Sequence, residues 1–180
     1  VQEAIKNHLA YVTEDRKGNG LILSNPIKIN TTLANLDAIS RHTVIDKDKE
    51  HNVAVDYKNN LNTKCPTVEQ NVGNLSGGNQ QKVLLAKWMF TDPDILILDE
   101  PTRGIDVGAK YEIYCIINQL VAEGKSVIMI SSELPEILGM CDRIYVMNEG
   151  KIVGELAGSE ATQELIMSKI LSAGKKGALA

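Results

Sequence analysis

The sequence predicts an α/β fold built on a parallel sheet, and three observations carry that reading. The apolar runs at 9–12, 95–98 and 127–130 are short and unbroken, as in strands buried on both faces, and do not alternate like half-exposed ones. Segments of helical period separate the later runs, the order that builds β-α-β units. With 43% hydrophobic and 23% charged residues among 180, the chain has enough apolar material to bury a real core.

Taken in order, Leu9-Ala10-Tyr11-Val12 reads as a buried strand and runs into Thr13-Glu14-Asp15-Arg16-Lys17-Gly18-Asn19-Gly20, a polar turn. From about 25 to 74, Asn, Lys, Asp and Thr are frequent and apolar residues scattered, which predicts a helical, partly exposed subdomain with long connections. Within it, Asp46-Lys47-Asp48-Lys49-Glu50 reads as a solvated charge run. Residues 79–90 predict a mostly buried helix, with Trp88 and Met89 as core. After Asp92-Pro93-Asp94, the strand Ile95-Leu96-Ile97-Leu98 ends in Asp99-Glu100-Pro101. A helix over about 109–123 places Ile113, Ile116, Ile117, Leu120 and Val121 on one face and is closed by Gly124. A strand at 127–130, a helix at 134–140 and a strand at 143–147 follow. Asn148-Glu149-Gly150 is a hairpin turn into a strand at 151–155. A helix over 160–171 precedes a Gly/Lys/Ala tail, with Lys175 and Lys176, expected to fray. No internal repeat is visible.

Charge and composition exclude several classes. Nineteen basic against 23 acidic residues give a net charge of -4, the wrong sign for a nucleic-acid binder, and one Trp and one Phe leave little for base stacking. The longest apolar run, residues 113–117, is far short of the roughly 20 residues that a membrane span needs. The opening residues carry no apolar signal region. Cys65, Cys115 and Cys141 are odd in number and far apart, which excludes a zinc ribbon and argues against a disulfide framework. A cytosolic, globular chain is expected. His8, His42 and His51 receive no functional role.

Two stretches carry chemistry. Leu75-Ser76-Gly77-Gly78-Asn79-Gln80-Gln81 opens a helix with a hydroxyl and two glycines. Such a terminus is either a phosphate site at the positive end of the helix dipole or a plain Ser cap on a flexible turn. Ile95-Leu96-Ile97-Leu98-Asp99-Glu100 ends a buried strand in two carboxylates, either pointing into a ligand crevice or closing the strand at a solvent loop. In phosphoryl-transfer sites an Asp so placed holds Mg²⁺, and a neighbouring carboxylate polarises the attacking water. Asp99 follows Ser76 by 23 residues, and Pro101-Thr102-Arg103-Gly104-Ile105-Asp106 adds a third carboxylate.

Together these stretches resemble the signature motif and Walker B strand of ATP-binding cassette (ABC) ATPases over about residues 3–170. Leu75 to Val83, Thr102 to Lys110, and Glu14-Asp15-Arg16-Lys17 followed by Gly20 are similar to the second cassette of monosaccharide importers of the ribose, galactose and xylose type. The resemblance implies a P-loop NTPase, RecA-like core at 1–24 and 91–158, an inserted helical signature subdomain at 25–90, and a C-terminal helix and tail at 159–180. In this family two cassettes pack head to tail with ATP between the P-loop of one and the signature of the other. Ser76, Gly77, Gly78 and Gln80 would then bind nucleotide held by a partner cassette. Asp99 would hold Mg²⁺, Glu100 would act as general base, and Asp106 would be the D-loop carboxylate. Glu14 stands at the Q-loop position, and the helical subdomain would dock the membrane subunits.

The sequence departs from the family pattern twice. It contains no G-x-x-x-x-G-K-[ST] loop, which implies the C-terminal part of a longer protein, with the sheet left without its P-loop strand and helix. Exposed apolar surface is expected there, with low stability or oligomerisation. Ser132, in Ile130-Ser131-Ser132-Glu133, replaces the switch His and cannot supply its positive charge. The implied partners are a second cassette (in the same longer chain or a homodimer), permease subunits and, indirectly, a periplasmic or extracellular sugar-binding protein, with no nucleic acid. The implied location is the cytoplasmic face of the membrane, peripherally bound. The rival readings are a cassette ATPase of the DNA-repair, chromosome or translation type and a cassette fragment that only binds partners. Heptad arrays, CxxC modules and basic linkers would mark the first, and none is present.

Overall fold

A computed structural model describes residues 1–177, which form two compact units, one of Val1–Ile130 and one beginning at Ser131. The boundary falls inside the 91–158 span expected as one core.

The first unit opens with a short helix α1 (Gln2–Lys6) that the sequence reading did not anticipate, then β1 (Leu9–Val12). The polar turn after β1 is a single π-turn, Arg16–Gly20, closed by the Asp15 carboxylate accepting from the Lys17 and Gly18 amides. The helical subdomain holds α2 (Ile27–Thr32), a small hairpin of β2 (Ser40–Arg41) and β3 (Val44–Ile45), α3 (Lys47–Asn60) and α4 (Gly77–Met89). Then come β4 (Ile95–Asp99), α5 (Val107–Ala122) and β5 (Ser126–Ile130). The three long strands pair in parallel in the order β1-β4-β5, with Tyr11 opposite Ile97 and Ile97 opposite Ile128. Gly124, at φ +88°, ends α5 in the left-handed region, as its position predicted.

The sheet's two faces differ. Ala10, Val12, Leu96 and Leu98 are buried, with Leu84 and Leu85 of α4 and Ile113, Ile116 and Ile117 of α5. On the opposite face Tyr11, Ile95, Ile128 (52% exposed) and Ile130 (47%) meet solvent. Flush apolar strands predict cover on both faces. Within the described residues only one face has it.

The charged run at 46–50 is not simply solvated. Asp46 caps α3 by accepting from the Asp48 and Lys49 amides, and Glu50 is buried with Thr32 Oγ1 3.4 Å from its Oε1. Periodicity hid this because one buried carboxylate on a polar helix leaves no apolar stripe. At the other end of α3, Tyr57 packs edge-on against Phe90, centroids 6.2 Å apart. Burial, more than the nearby carboxylates of Asp92 and Glu123, pushes its hydroxyl up to about 12. An acid raised in the folded state contributes stability that is complete below the unfolded phenol value near 10 and is lost as pH climbs through about 12. Thermal melts from pH 9 to 12 should therefore show the native chain losing stability faster than Tyr57→Phe. Parallel curves would place Tyr57 in solvent.

Lys82 is the largest fully buried side chain, only 1% exposed. Its Nζ donates to the Asn62 carbonyl at 2.8 Å and pairs with Glu112 Oε2 at 2.7 Å, tying α4 to α5. A cation bordering the apolar stretch that follows the signature is thus satisfied on both sides.

The second unit holds α6 (Leu134–Met140), β6 (Arg143–Asn148), β7 (Lys151–Ala157) and α7 (Gln163–Gly177). β6 pairs antiparallel with β7 and does not extend the parallel sheet. Its burial alternates, Ile144 and Val146 in, Tyr145 and Met147 out, the pattern of a half-exposed hairpin. Glu149 and Gly150 both take positive φ, as a two-residue I′ turn requires. Ile144, Val146, Leu156 and Ile166 form the unit's core, with Leu134 and Ile137 against it. Helix α7 runs through 172–177, where a frayed tail was expected; residues 178–180 and the Lys175 and Lys176 side chains lie outside the described residues. No helix among the described residues is long and apolar enough to cross a membrane.

Candidate functional site

The first group of candidate residues gathers at the start of α4. Ser76 stands at the N-cap, exposed, yet its hydroxyl does not cap the helix; it accepts from Asn79 Nδ2 at 2.9 Å. Asn79 is fixed in turn by accepting from the Lys64 amide at 2.8 Å. Ser76 and Asn79 line a cleft of about 220 Å³ with Lys64, Asp106 and Glu112. Asp106 caps α5, its Oδ1 accepting from the Ala109 amide at 2.9 Å. The two helix starts thus open side by side.

The glycines explain how they come so close. A Cβ on Gly78 would stand 2.5 Å from Ala109 Cβ, and one on Gly77 would stand 2.9 Å from Arg16 Nη2. The Gly78 clash is with the Cβ of Ala109 and cannot be relieved by rotating a flexible tip, so Gly78 is needed for contact as much as for an open amide surface, whereas a side chain at Gly77 would displace the end of Arg16. Gln80 points elsewhere. It is buried, and its amide donates to the Val72 and Leu75 carbonyls at 3.3 and 3.2 Å, bracing the turn before the helix.

The second group lies at the C-terminal end of β4. Asp99 Oδ2 accepts from the Tyr11 hydroxyl at 2.6 Å across the β1–β4 pair. That bond, more than burial, holds the Tyr11 hydroxyl above the usual phenol range. Glu100 follows at φ +46°, a left-handed conformation that a residue with a Cβ seldom adopts and that costs on the order of 1 kcal/mol. Its amide donates to the Ile130 carbonyl at 2.9 Å and its carbonyl accepts from the Arg103 amide at 3.1 Å, so both sides of the kink are fixed.

Glu14, from the turn after β1, forms an ion pair with Arg103. Arg16 Nη1 and Nη2 donate to the Arg103 and Gly104 carbonyls at 2.8 and 3.3 Å. Glu14, the signature start and the Asp106 loop are therefore one cluster, while Asp99 and Glu100 form another at the sheet end. Ser132 is exposed in the second unit, two residues beyond β5, where Ser131 Oγ hydrogen-bonds buried Glu136. Two of the histidines take structural places, His51 Nδ1 3.0 Å from Glu69 Oε1 and His8 Nδ1 3.0 Å from the Asp92 carbonyl.

Sequence reasoning did not single out Arg16, Arg103, Tyr11 or the Lys82–Glu112 pair. Lys82 alone left a signal, as a charge bordering the apolar run 83–86. The others meet partners 87 to 89 positions away, which no local pattern records.

Comparisons with known proteins agree among themselves. A family model described as "ABC transporter" matches residues 2–103. The chain is 63% identical over 167 residues to the L-arabinose transport ATP-binding protein AraG of Geobacillus stearothermophilus, covering 93% of this chain and 33% of that protein. It is 55% identical over 166 residues to the xylose import ATP-binding protein XylG of Geobacillus kaustophilus, covering 92% of this chain and 33% of that protein. It is 52% identical over 166 residues to the ribose import ATP-binding protein RbsA of Bacillus cereus, covering 92% and 34%. The chain thus spans about a third of the length of the curated relatives it matches. Among solved structures it is similar to MJ1267, an ATP-binding cassette of an ABC transporter, with TM-score 0.77 and 20% identity over 94% of this chain and 69% of that one. It is also similar to the dimeric post-hydrolysis cassette MJ0796 bound to ADP and Pi, with TM-score 0.70 and 18% identity over 84% and 63%. At these identities the structural matches establish a shared cassette fold.

Proposed function

The chain belongs to the ABC transporter family, and from that premise we propose that it is the signature, Walker B and D-loop portion of the second cassette of a bacterial monosaccharide importer's ATPase. The observation that carries the reading is the junction of α4 and α5, where Ser76, Gly78 and Asp106 share one cleft rim. Ser76 Oγ accepts from Asn79, so its own proton is left to donate to a phosphate oxygen. The amides at the start of α4 and its dipole would add to that anion site. Nucleotide bound there would rest its other phosphates on the P-loop of a partner cassette, since these 180 residues hold no G-x-x-x-x-G-K-[ST] run.

At the sheet end, Asp99 offers a hard carboxylate oxygen held by Tyr11, a donor that suits Mg²⁺ completed by phosphate and water. When bound, that ion would neutralise charge on the phosphate oxygens. Glu100 would take the proton of the attacking water. Ser132, where the family carries His, would donate one neutral hydrogen bond, and Glu14 would stand at the Q-loop position. The names of the arabinose, xylose and ribose relatives favour a pentose or related sugar as cargo. The reading places the chain peripherally on the cytoplasmic face, against permease subunits fed by a sugar-binding protein.

The test is MgATP-dependent association. The chain, mixed with a P-loop-bearing cassette of the sugar-importer type, should shift to a heterodimer on size exclusion with MgATP, and Ser76→Arg should abolish the shift. The chain alone should show no binding by calorimetry at millimolar MgATP. Tight binding by the chain alone, or no nucleotide-dependent association, would overturn the reading.

A further inference from the structure

The loop carrying Arg103 and Gly104 is gripped from one side by two residues of the turn after β1. Arg16 donates through both terminal nitrogens to consecutive carbonyls of that loop. Its guanidinium also lies where a Gly77 side chain would begin, since a Cβ there would approach Nη2 to 2.9 Å. Arg16 is therefore sandwiched between the signature turn and the Asp106 loop. Its Nε is buried without a hydrogen-bond partner among the described residues, so the side chain is held there at a desolvation cost. Glu14, two residues earlier, pairs with the Arg103 side chain from the solvent side.

We infer that Arg16 and Glu14 are positioning residues, which clasp the Arg103–Gly104 backbone against Gly77 and so set how Ser76 and Asp106 face one another. The two grips divide the work. The Glu14–Arg103 pair is largely exposed, 45% and 66%, and such pairs add little to global stability. Its part is to orient the loop. The planar fork of Arg16 makes two directed bonds in a partly buried place, which a flexible ammonium could not reproduce. Any displacement of the turn after β1 would move the rim of the cleft with it. Its meaning for transport rests on the proposed function, but the clasp itself is testable without nucleotide.

Hydrogen exchange on the full chain reads it directly. The Arg103 amide, bonded to the Glu100 carbonyl at 3.1 Å, reports on the loop, and the Gln80 amide, bonded to the Ser76 carbonyl at 2.9 Å, on the signature turn. Arg16→Ala should raise exchange at both by about tenfold or more while the amides of β4 stay as they are. Glu14→Arg and Arg103→Glu should each raise it at both reporters, and the double reversal should return it towards the native rate. An ion pair that acts on its own loop alone would give that rescue at Arg103 but no rise at Gln80. If Arg16→Ala does not fold, the charge-reversal set decides alone. Unchanged exchange, a rise at Arg103 but not Gln80, a rise spread through β4, or no rescue would each overturn the clasp. A failed association test with MgATP would instead bear on the ATPase reading and leave these rates untouched.

Discussion

On the proposed function, Glu100→Gln should lower ATP turnover of the assembled ATPase by about 100- to 10,000-fold, the span that a positioned general base contributes. Gln matches Glu in size and hydrogen-bonding reach but cannot take a proton from water. It is no better suited than Glu to φ +46°, so the turn held by the Ile130 and Arg103 bonds should survive the change. Nucleotide affinity should therefore stay within a few-fold of native while hydrolysis collapses. Single-turnover hydrolysis beside nucleotide titration separates the two. A loss of less than tenfold would move the base to another residue, and a joint loss of binding and turnover would make Glu100 a binding group.

The second large effect falls on stability. Removing Glu112 strands the Lys82 ammonium in a place only 1% exposed, with the Asn62 carbonyl as its remaining partner among the described residues. Breaking a fully buried pair costs about 3–5 kcal/mol. Glu112 is itself 37% exposed, and that screening lowers the expectation for Glu112→Ala to about 2–3 kcal/mol. Replacing both residues with apolar ones, Lys82→Met with Glu112→Leu, should recover most of that loss because no charge is left buried. Urea unfolding of the single and double variants checks this. A single-variant cost below about 1 kcal/mol would mean that the ammonium finds water once its partner is gone.

Much of the framework was legible because it is written locally. The strands at 9–12, 95–99 and 126–130 are marked by unbroken apolar runs, and Gly124 and the Asn148-Glu149-Gly150 turn by residues that tolerate positive φ. The motif spacing between Ser76 and Asp99 pointed to the cassette family, which the family match upholds. The hairpin of β6 and β7 was seen, but its sheet was not, because flush and alternating patterns are hard to tell apart over five residues. Gln80 shows a different limit. Its place in the signature suggests an exposed contact, while its side chain braces the preceding turn from inside. The Glu14–Arg103 pair and the Arg16 bonds lay beyond reach, since only the parallel pairing of β1 with β4 brings those loops together.

The open face of the sheet gives the molecule a solvent response opposite in sign to that of its clasp. Contact made through Tyr11, Ile128 and Ile130 would be driven by water release, so it should weaken on cooling and strengthen in sulfate. The Glu14–Arg103 pair responds the other way to salt, because screening weakens an exposed ion pair. One buffer change therefore pushes the two regions in opposite directions. Temperature and salt together can distinguish self-association through the sheet from loosening at the signature, without altering a single residue.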